Sequence, residues 1–437
     1  MAPNLRVAIQ LLLTTFLAFL ASASIADVGT PLPPLKISYA LSAPGPGVNG
    51  TQAQLWGRIR AGFRLGESDP ALTRVHEAWF GSHDAYLRRG VERSRPYLYY
   101  VVEEVEKRGM PMEIALLPMI ESAYNPMALS PMKALGIWQF IPSTGSLYGL
   151  KQNAWFDGRR DVVSATQAAL DYLQNLYGMF GDWELALAAY NCGEGCVAHA
   201  QARRKGKAVD YASLKLPAET RQYVPKLVAL RNIVLDPHRY GIDLADVANE
   251  PYFMRVTMDR PIAARQAARL ADMSVDDFLA LNPGFRRSVI HTDSYNVLLL
   301  PTERLETFQF NLHRQGADTQ SLQTYQARKG ESASAIANRF GVTVAWLKEH
   351  NPIDLHRGNV AQAQALYVPA ARSAGKAPLP ALANTPKRPL RTYIVRKGDT
   401  LSLVAKRYNV EVSDILRLNG PTEPLRPGDT LEIPVSG

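Results

Sequence analysis

The sequence predicts a multidomain chain, a mainly α domain followed by small βααβ modules. Three observations predict it. Between residues 84 and 234 apolar residues recur at helical spacing, as in Leu98, Val101, Val102 and Val105 at i, i+3, i+4 and i+7. From 273 to 434 the chain repeats itself, with Asn282, Asn351 and Asn419 spaced by sixty-nine and sixty-eight residues. Pro-rich segments at 27–50 and 371–391 separate these regions from what flanks them, and 437 residues exceed one domain by the soft prior of about 150 residues each.

Residues 1–26 read as an export signal: Arg6, the apolar run Val7 to Leu20, then small residues ending Ser24-Ile25-Ala26. That run is short of the about 20 residues of a membrane span, which favours a cleaved signal over the alternative of a retained anchor, and no Cys near the cleavage point could accept a lipid. Residues 27–50 form a Pro/Gly-rich, poorly ordered lead-in, and the folded domain (51–245) starts near Trp56. One helix ends at Lys107-Arg108-Gly109 and packs on the next, which Pro111 opens and which ends before Asn125-Pro126. Ser164 caps a helix with Ala169, Tyr172, Leu173 and Leu176 on its apolar face, which Gly181-Asp182 breaks. Trp183, Leu187 and Tyr190 mark another, and a last one runs from Ala218 to Val234.

Within this helical pattern one carboxylate is out of place. Glu121 closes the apolar run Ile114 to Ile120, where desolvation raises a carboxyl pKa towards that of a usable general acid. A solvent-facing Glu, or one paired with Lys133 or an Arg, is the alternative. The loop Gly136-Ile137-Trp138-Gln139-Phe140 offers an amide and two aromatic faces, the chemistry of a sugar groove. Cys192 and Cys196 flank Gly193-Glu194-Gly195 and lack the further ligands of a metal site. They form either a small disulfide, if their Cα atoms come within about 7 Å, or two buried thiols.

The runs ESAYNP at 121–126, GIWQFIPSTG at 136–145, ALAAYNCGEG at 186–195 and ETRQYVPK at 219–226 together resemble the lytic murein transglycosylases, specifically the D-type with C-terminal LysM modules. The resemblance implies a lysozyme-like (α+β) catalytic domain. By it Glu121 is the catalytic acid and base, Tyr223 orients it, Ser122 supports the site, and Gln139, Tyr190 and Asn191 contact the glycan. Taken singly, Tyr190 and Tyr223 read as core residues, Asn191 as a helix terminus and Gln139 as any loop amide.

Ordinary glycosidases place two carboxylates about 5 to 9.5 Å apart. Neither Glu194, between glycines, nor Asp157, in an Arg-rich turn, makes a convincing second one. The resemblance implies that one suffices: Glu121 protonates the oxygen leaving C1 of muramic acid, then takes a proton from that sugar's C6 hydroxyl, which closes to a 1,6-anhydro ring. The rivals are a muramidase that lets water attack, and an inactive wall-binding protein. No metal or organic cofactor is expected.

The clearest repeat, TYIVRKGDTLSLVAKRYNVEVSDILRLNGPTEPLRPGDTLEIP, lies in module 392–435 and resembles the LysM fold, whose glycan-binding loops here hold Gly398, Asp399, Thr400 and Asn419. The copy at 322–370 has Gly330-Glu331-Ser332 instead and departs at His350-Asn351-Pro352, which leaves its glycan binding open, and the worn copy at 250–302 lacks the Gly-Asp turn and reads as a spacer packed on the catalytic domain. A semi-rigid linker spans 371–391. The net charge of +9, of which the signal removes only Arg6, favours anionic partners. With no nucleic-acid fold signature, the expected partner is peptidoglycan in the periplasm of a Gram-negative bacterium, with the protein soluble or in peripheral contact with an anionic wall or membrane surface. Oligomeric state is open.

Overall fold

The structure, a computed structural model, describes residues 37–40, 55–204, 210–291, 295–314, 322–369, 390–396, 399–410, 415, 419 and 427–434. The expected export signal, almost all of both Pro-rich segments and Gly398 lie outside the described residues.

The helical region comprises α1 (Leu55–Ala61), α2 (Pro70–Ser82), α3 (Asp84–Ser94), α4 (Leu98–Lys107), α5 (Leu117–Ser122), α6 (Pro142–Leu147), α7 (Val162–Phe180), α8 (Trp183–Cys192), α9 (Glu194–Ala202) and α10 (Ala218–Leu235). Capping carboxylates open several of these. Asp69 accepts from the amides of Ala71 and Leu72 just before Pro70, and Asp182 from that of Leu185. Ser164 does not cap α7 as expected. Asp161, with extended backbone, accepts from the Ser164 amide at 2.8 Å, so Ser164 is already inside the first turn.

The run that Pro111 opens begins as a 3-10 turn, Met112–Leu116, and becomes α-helical only at Leu117. Pro118 has no N–H to donate, which suits the start of a helix. Leu98, Val101, Val102 and Val105 are fully buried, and α4 packs on this turn. Helices α1, α2, α6 and α9 escaped the sequence reading, the stretch from 84 to 108 holds two helices, α3 and α4, and α2 packs along α10. The left-handed residues that end α5, Ala123 at φ 49° and Tyr124 at φ 54°, are not glycines. Such backbone costs about 1–3 kcal/mol per residue. Here it is held by the Ala123 amide on Met119 O, the Tyr124 amide on Pro118 O and the Tyr124 hydroxyl on Ala115 O at 2.7 Å.

The rest of the chain builds small sheets. β1 (Ile37–Ala40) pairs antiparallel with β2 (Phe253–Met258), Ile37 opposite Met258. Part of the lead-in expected to be poorly ordered is therefore a strand, because β2 offers it an open edge. β3 (Ile262–Ala263), α11 (Ala264–Leu270), α12 (Val275–Leu281), β4 (Val289–Ile290) and β5 (Val297–Pro301) follow, with β5 on the other edge of β2. This copy packs on the helical region, as expected of a spacer. The Tyr97 hydroxyl donates to Ala280 O, the Asp157 amide to Gly284 O at 2.9 Å, and Phe156 stacks on Tyr295 at 4.2 Å. After α13 (Leu305–Arg314) the second copy has β6 (Leu322–Ala327), α14 (Ala333–Arg339), α15 (Val344–His350), β7 (Leu355–His356), β8 (Asn359–Val360) and β9 (Gln364–Pro369), β6 pairing with β9. The third has β10 (Leu390–Ile394), α16 (Leu401–Tyr408) and β11 (Thr430–Pro434), β10 pairing with β11. Its expected second helix falls almost wholly outside the described residues.

The repeated Asn has the same structural work in every copy. Asn282 donates to Phe278 O and Leu299 O and accepts from the Leu299 amide, and Asn351 does likewise with Leu347 and Tyr367. Asn419 repeats this with Ile415 and Glu432. One amide thus ties a helix end to a closing strand. Asn351→Ala should cost the second copy about 3 kcal/mol, since it strands the buried Tyr367 amide and carbonyl. Faster hydrogen exchange in β6 and β9, with helical-region exchange unchanged, is the expected readout.

Candidate active site

Glu121 sits near the end of α5, half-buried, with its carboxyl in a groove of about 1080 Å³ bordered by α2, α8, α10 and the 130–144 segment. The buried Tyr223 of α10 donates its hydroxyl to Glu121 Oε1. Burial pushes the Glu121 carboxyl up to about 7, against the lowering effects of the Tyr223 bond and the Lys226 ammonium and with a smaller upward push from Glu219. The alternative of an ion pair with Lys133 is not what the fold provides, since Lys133 is exposed and gives its carbonyl to Arg159. Burial likewise raises Tyr223 and Tyr190 well above the ordinary tyrosine value, with the Glu121 charge second, so both keep their protons.

The loop from 136 to 140 is held from several sides. Gly136, at φ 86°, presses on the Arg159 carbonyl so closely that a Cβ there would lie 1.8 Å from it, which leaves glycine alone able to fit. Ser122 Oγ lies 3.1 Å from both Pro118 O and Ile137 O, linking α5 to this loop. Tyr190 donates to Trp138 O at 2.8 Å. Gln139, in a left-handed conformation at φ 51°, donates to Gly136 O and Ala128 O and borders the groove. The Arg159 guanidinium clasps the buried Asp157 carboxylate and reaches Lys133 O and Phe140 O, fastening the loop from below.

Trp138 overturns part of the sequence expectation. Its ring is fully buried, and Nε1 donates to Thr166 Oγ1 at 2.9 Å, so it is a core anchor and not a sugar platform. Phe140 is almost as buried, though it borders the groove. The groove's other aromatic walls come from Trp79, Tyr172, Tyr190 and Tyr223. Asn191, at the end of α8, lies in the groove and accepts from Thr220 Oγ1 at 2.7 Å. Next to it Cys192 and Cys196 form a disulfide with Cα atoms 5.9 Å apart, the bridged alternative, joining α8 to α9.

Asp157 is locked to Arg159, Glu194 accepts from the Tyr172 hydroxyl at 3.0 Å, and neither carboxylate borders the groove. Glu219 was missed. It lies exposed at the start of α10 and borders the groove, as do Lys226 and His76. Glu219 and Lys226 stand inside the ETRQYVPK run, whose helical spacing around Tyr223 was the available signal, whereas nothing in the sequence marked His76 or Trp79.

In the last copy Asp399 accepts from the Tyr393 hydroxyl and the Arg396 amide and pairs with Arg407 at 3.6 Å. Thr400 caps α16 through the Leu403 amide, and Asn419 is fully engaged as described above. In the second copy Glu331 takes the place of Asp399, accepting from Tyr325 and the Arg328 amide. Asp399 therefore holds its turn, Thr400 opens α16, and Asn419 ties a helix end to β11. Among the described residues no helix is long and apolar enough to cross a membrane, and no three His, Cys, Asp or Glu cluster as a metal site.

Comparison with known sequence families places a transglycosylase SLT domain at 100–212, the LysM-like domain of lytic transglycosylase MltD at 252–317, and LysM domains at 325–369 and 393–434. The second of these spans takes in α13, beyond the 302 expected from sequence. The membrane-bound lytic murein transglycosylase D of Escherichia coli strain K12 is 38% identical over 393 residues, 87% of this chain and 85% of that protein. The N-acetylmuramoyl-L-alanine amidase sle1 of Staphylococcus aureus strain USA300 is 34% identical over 98 residues, 22% of this chain and 28% of its own. Among solved structures, the 70 kDa soluble lytic transglycosylase of Escherichia coli matches 39% of this chain and 30% of its own at 22% identity, with a TM-score of 0.29. With an SLT domain, an MltD-type LysM-like domain and LysM domains in this order, and with that extent of identity, the chain belongs to the lytic murein transglycosylase D family.

Proposed function

We propose that the chain is a peptidoglycan lytic transglycosylase that cleaves the β-1,4 bond between N-acetylmuramic acid and N-acetylglucosamine and closes the muramyl unit to its 1,6-anhydro form, with Glu121 as the single acid and base. The observation that carries this reading is a groove carboxyl tuned to about 7 and oriented by a buried tyrosine. Near neutrality such a group is populated both as acid and as base, which one residue serving two proton transfers requires. Protonated Glu121 gives its proton to the leaving oxygen. The substrate's own N-acetyl group shares the positive charge at C1, and ionised Glu121 then removes the C6 hydroxyl proton. Tyr223 donates to one carboxyl oxygen and leaves the other to the substrate, while Ser122 and Tyr190 fix the loop that carries Gln139. Gln139 and Asn191 border the groove where sugar amides and hydroxyls would lie.

In this reading 51–245 is the catalytic domain, and the modules at 250–302, 322–370 and 392–435 follow it. The last two hold the insoluble strand and raise its local concentration at the groove. Because Asp399, Thr400 and Asn419 are engaged internally, contact there falls mainly to loop backbone. The segment 1–26 directs export to the periplasm, where the substrate lies.

Digestion of isolated peptidoglycan by the purified chain should release muropeptides lighter by one water than reducing-end products, and Glu121→Gln should release none. Glu219→Gln should still yield the anhydro product. If it instead abolished cleavage, and wild type gave hydrated ends, Glu219 would be a second carboxylate and the enzyme a muramidase.

The pH profile follows from the same groups. kcat/KM should fall above about pH 7 as Glu121 loses its proton. Tyr223→Phe and Lys226→Met each remove an influence that lowers the Glu121 pKa, so both should move this limb to higher pH, the first by about one unit or more. Stability has a defined sign too. A carboxyl raised from 4.5 to about 7 on folding stabilises fully below its unfolded value, and that contribution is lost as pH rises through 7. Glu121→Gln should therefore gain in Tm relative to wild type between pH 4.5 and 8, as scanning calorimetry would read.

A further inference from the structure

Helix α2 lies before the SLT match, yet it forms one wall of the groove. His76 and Trp79, three residues apart and so on one helix face, both border the space that holds Glu121. The Trp79 ring is braced. His83 stacks on it at 4.5 Å and 14°, and Phe80 and Tyr86 meet it edge-on at 5.2 and 5.4 Å. The Tyr86 hydroxyl donates to Met119 O at 2.8 Å, which ties this aromatic cluster to α5 two residues before Glu121. Even so, Trp79 keeps 39% of its surface exposed. His76 Nε2 is buried and has no hydrogen-bond partner among the described residues. Burial and the Lys226 ammonium lower the His76 pKa, so the imidazole is neutral and able to donate or accept according to tautomer.

A rigid, partly open indole beside an unsatisfied polar atom is the arrangement that takes a pyranose, apolar face on the ring and hydroxyl or amide on the nitrogen. We propose that α2 forms a sugar subsite of the groove, in which Trp79 stacks on one N-acetylated pyranose of the strand and His76 Nε2 hydrogen-bonds a hydroxyl or amide of that sugar. This rests on the glycan-cleaving reading and deepens it by assigning part of substrate recognition to a helix outside the SLT match.

The full chain carrying Trp79→Ala, Trp79→Phe or His76→Ala would be assayed on solubilised glycan strands, with Tm as a check on folding. Trp79→Ala should raise KM about tenfold with kcat changed far less, Trp79→Phe should restore most of it, and His76→Ala should raise KM by a smaller factor. The alkaline limb of the pH profile should stay in place. An unchanged KM, or a fall in kcat with a displaced limb and no rescue by Phe, would overturn the subsite and make α2 a brace for Glu121. If wild type cleaved nothing, the activity reading would fail separately. The Trp79 indole resonance would then decide the subsite: titration with an N-acetylglucosamine tetramer either shifts it, as proposed, or leaves it still.

Discussion

The desolvation of Glu121, set against one hydrogen bond from Tyr223, is the balance around which the helical region is built. Burial alone would push the carboxyl higher still, and the tyrosine bond alone would hold it below the ordinary carboxylate value. Their opposition leaves it near 7, where a proton moves in either direction at small cost. Both partners arrive from distant parts of the chain, α5 and α10, so the balance exists only when the core between them is packed. Lys226, one turn beyond Tyr223 on α10, adds a cation that favours the ionised form without pairing directly with it.

The strained backbone of the region makes sense beside that balance. Ala123, Tyr124, Lys133 and Gln139 all take left-handed conformations within twenty residues of Glu121. Each is held by bonds that also shape the groove, such as Tyr124 to Ala115 O and Gln139 to Gly136 O. Strain of this kind persists where surrounding packing over-determines it, and here the buried Asp157 and Arg159 pair, Trp138 and Ser122 supply the packing.

What the sequence could convey follows from how far each interaction reaches. Helical periodicity marked α4, α7, α8 and α10 because the apolar stripe is local, and Glu121 stood out because a carboxylate in such a stripe is locally anomalous. Ser164 misled because a cap depends on backbone conformation as well as residue type, and Asp161 three residues earlier had the extended geometry. Trp138 misled because an aromatic in a loop looks the same whether it points into the groove or onto Thr166. Helix α2 was invisible as a groove wall, since its place depends on packing along α10, about 150 residues away. The repeated Asn was noticed as a spacing, but its work in closing each sheet appeared only in three dimensions.

Direct titration of the Glu121 side-chain carboxyl by carbon-13 NMR, in the full chain without substrate, addresses the balance itself. A midpoint near 7 is expected for this one carboxyl. A midpoint near 4.5, the ordinary value, would mean that burial does not hold the proton and that a single residue cannot serve as both acid and base here.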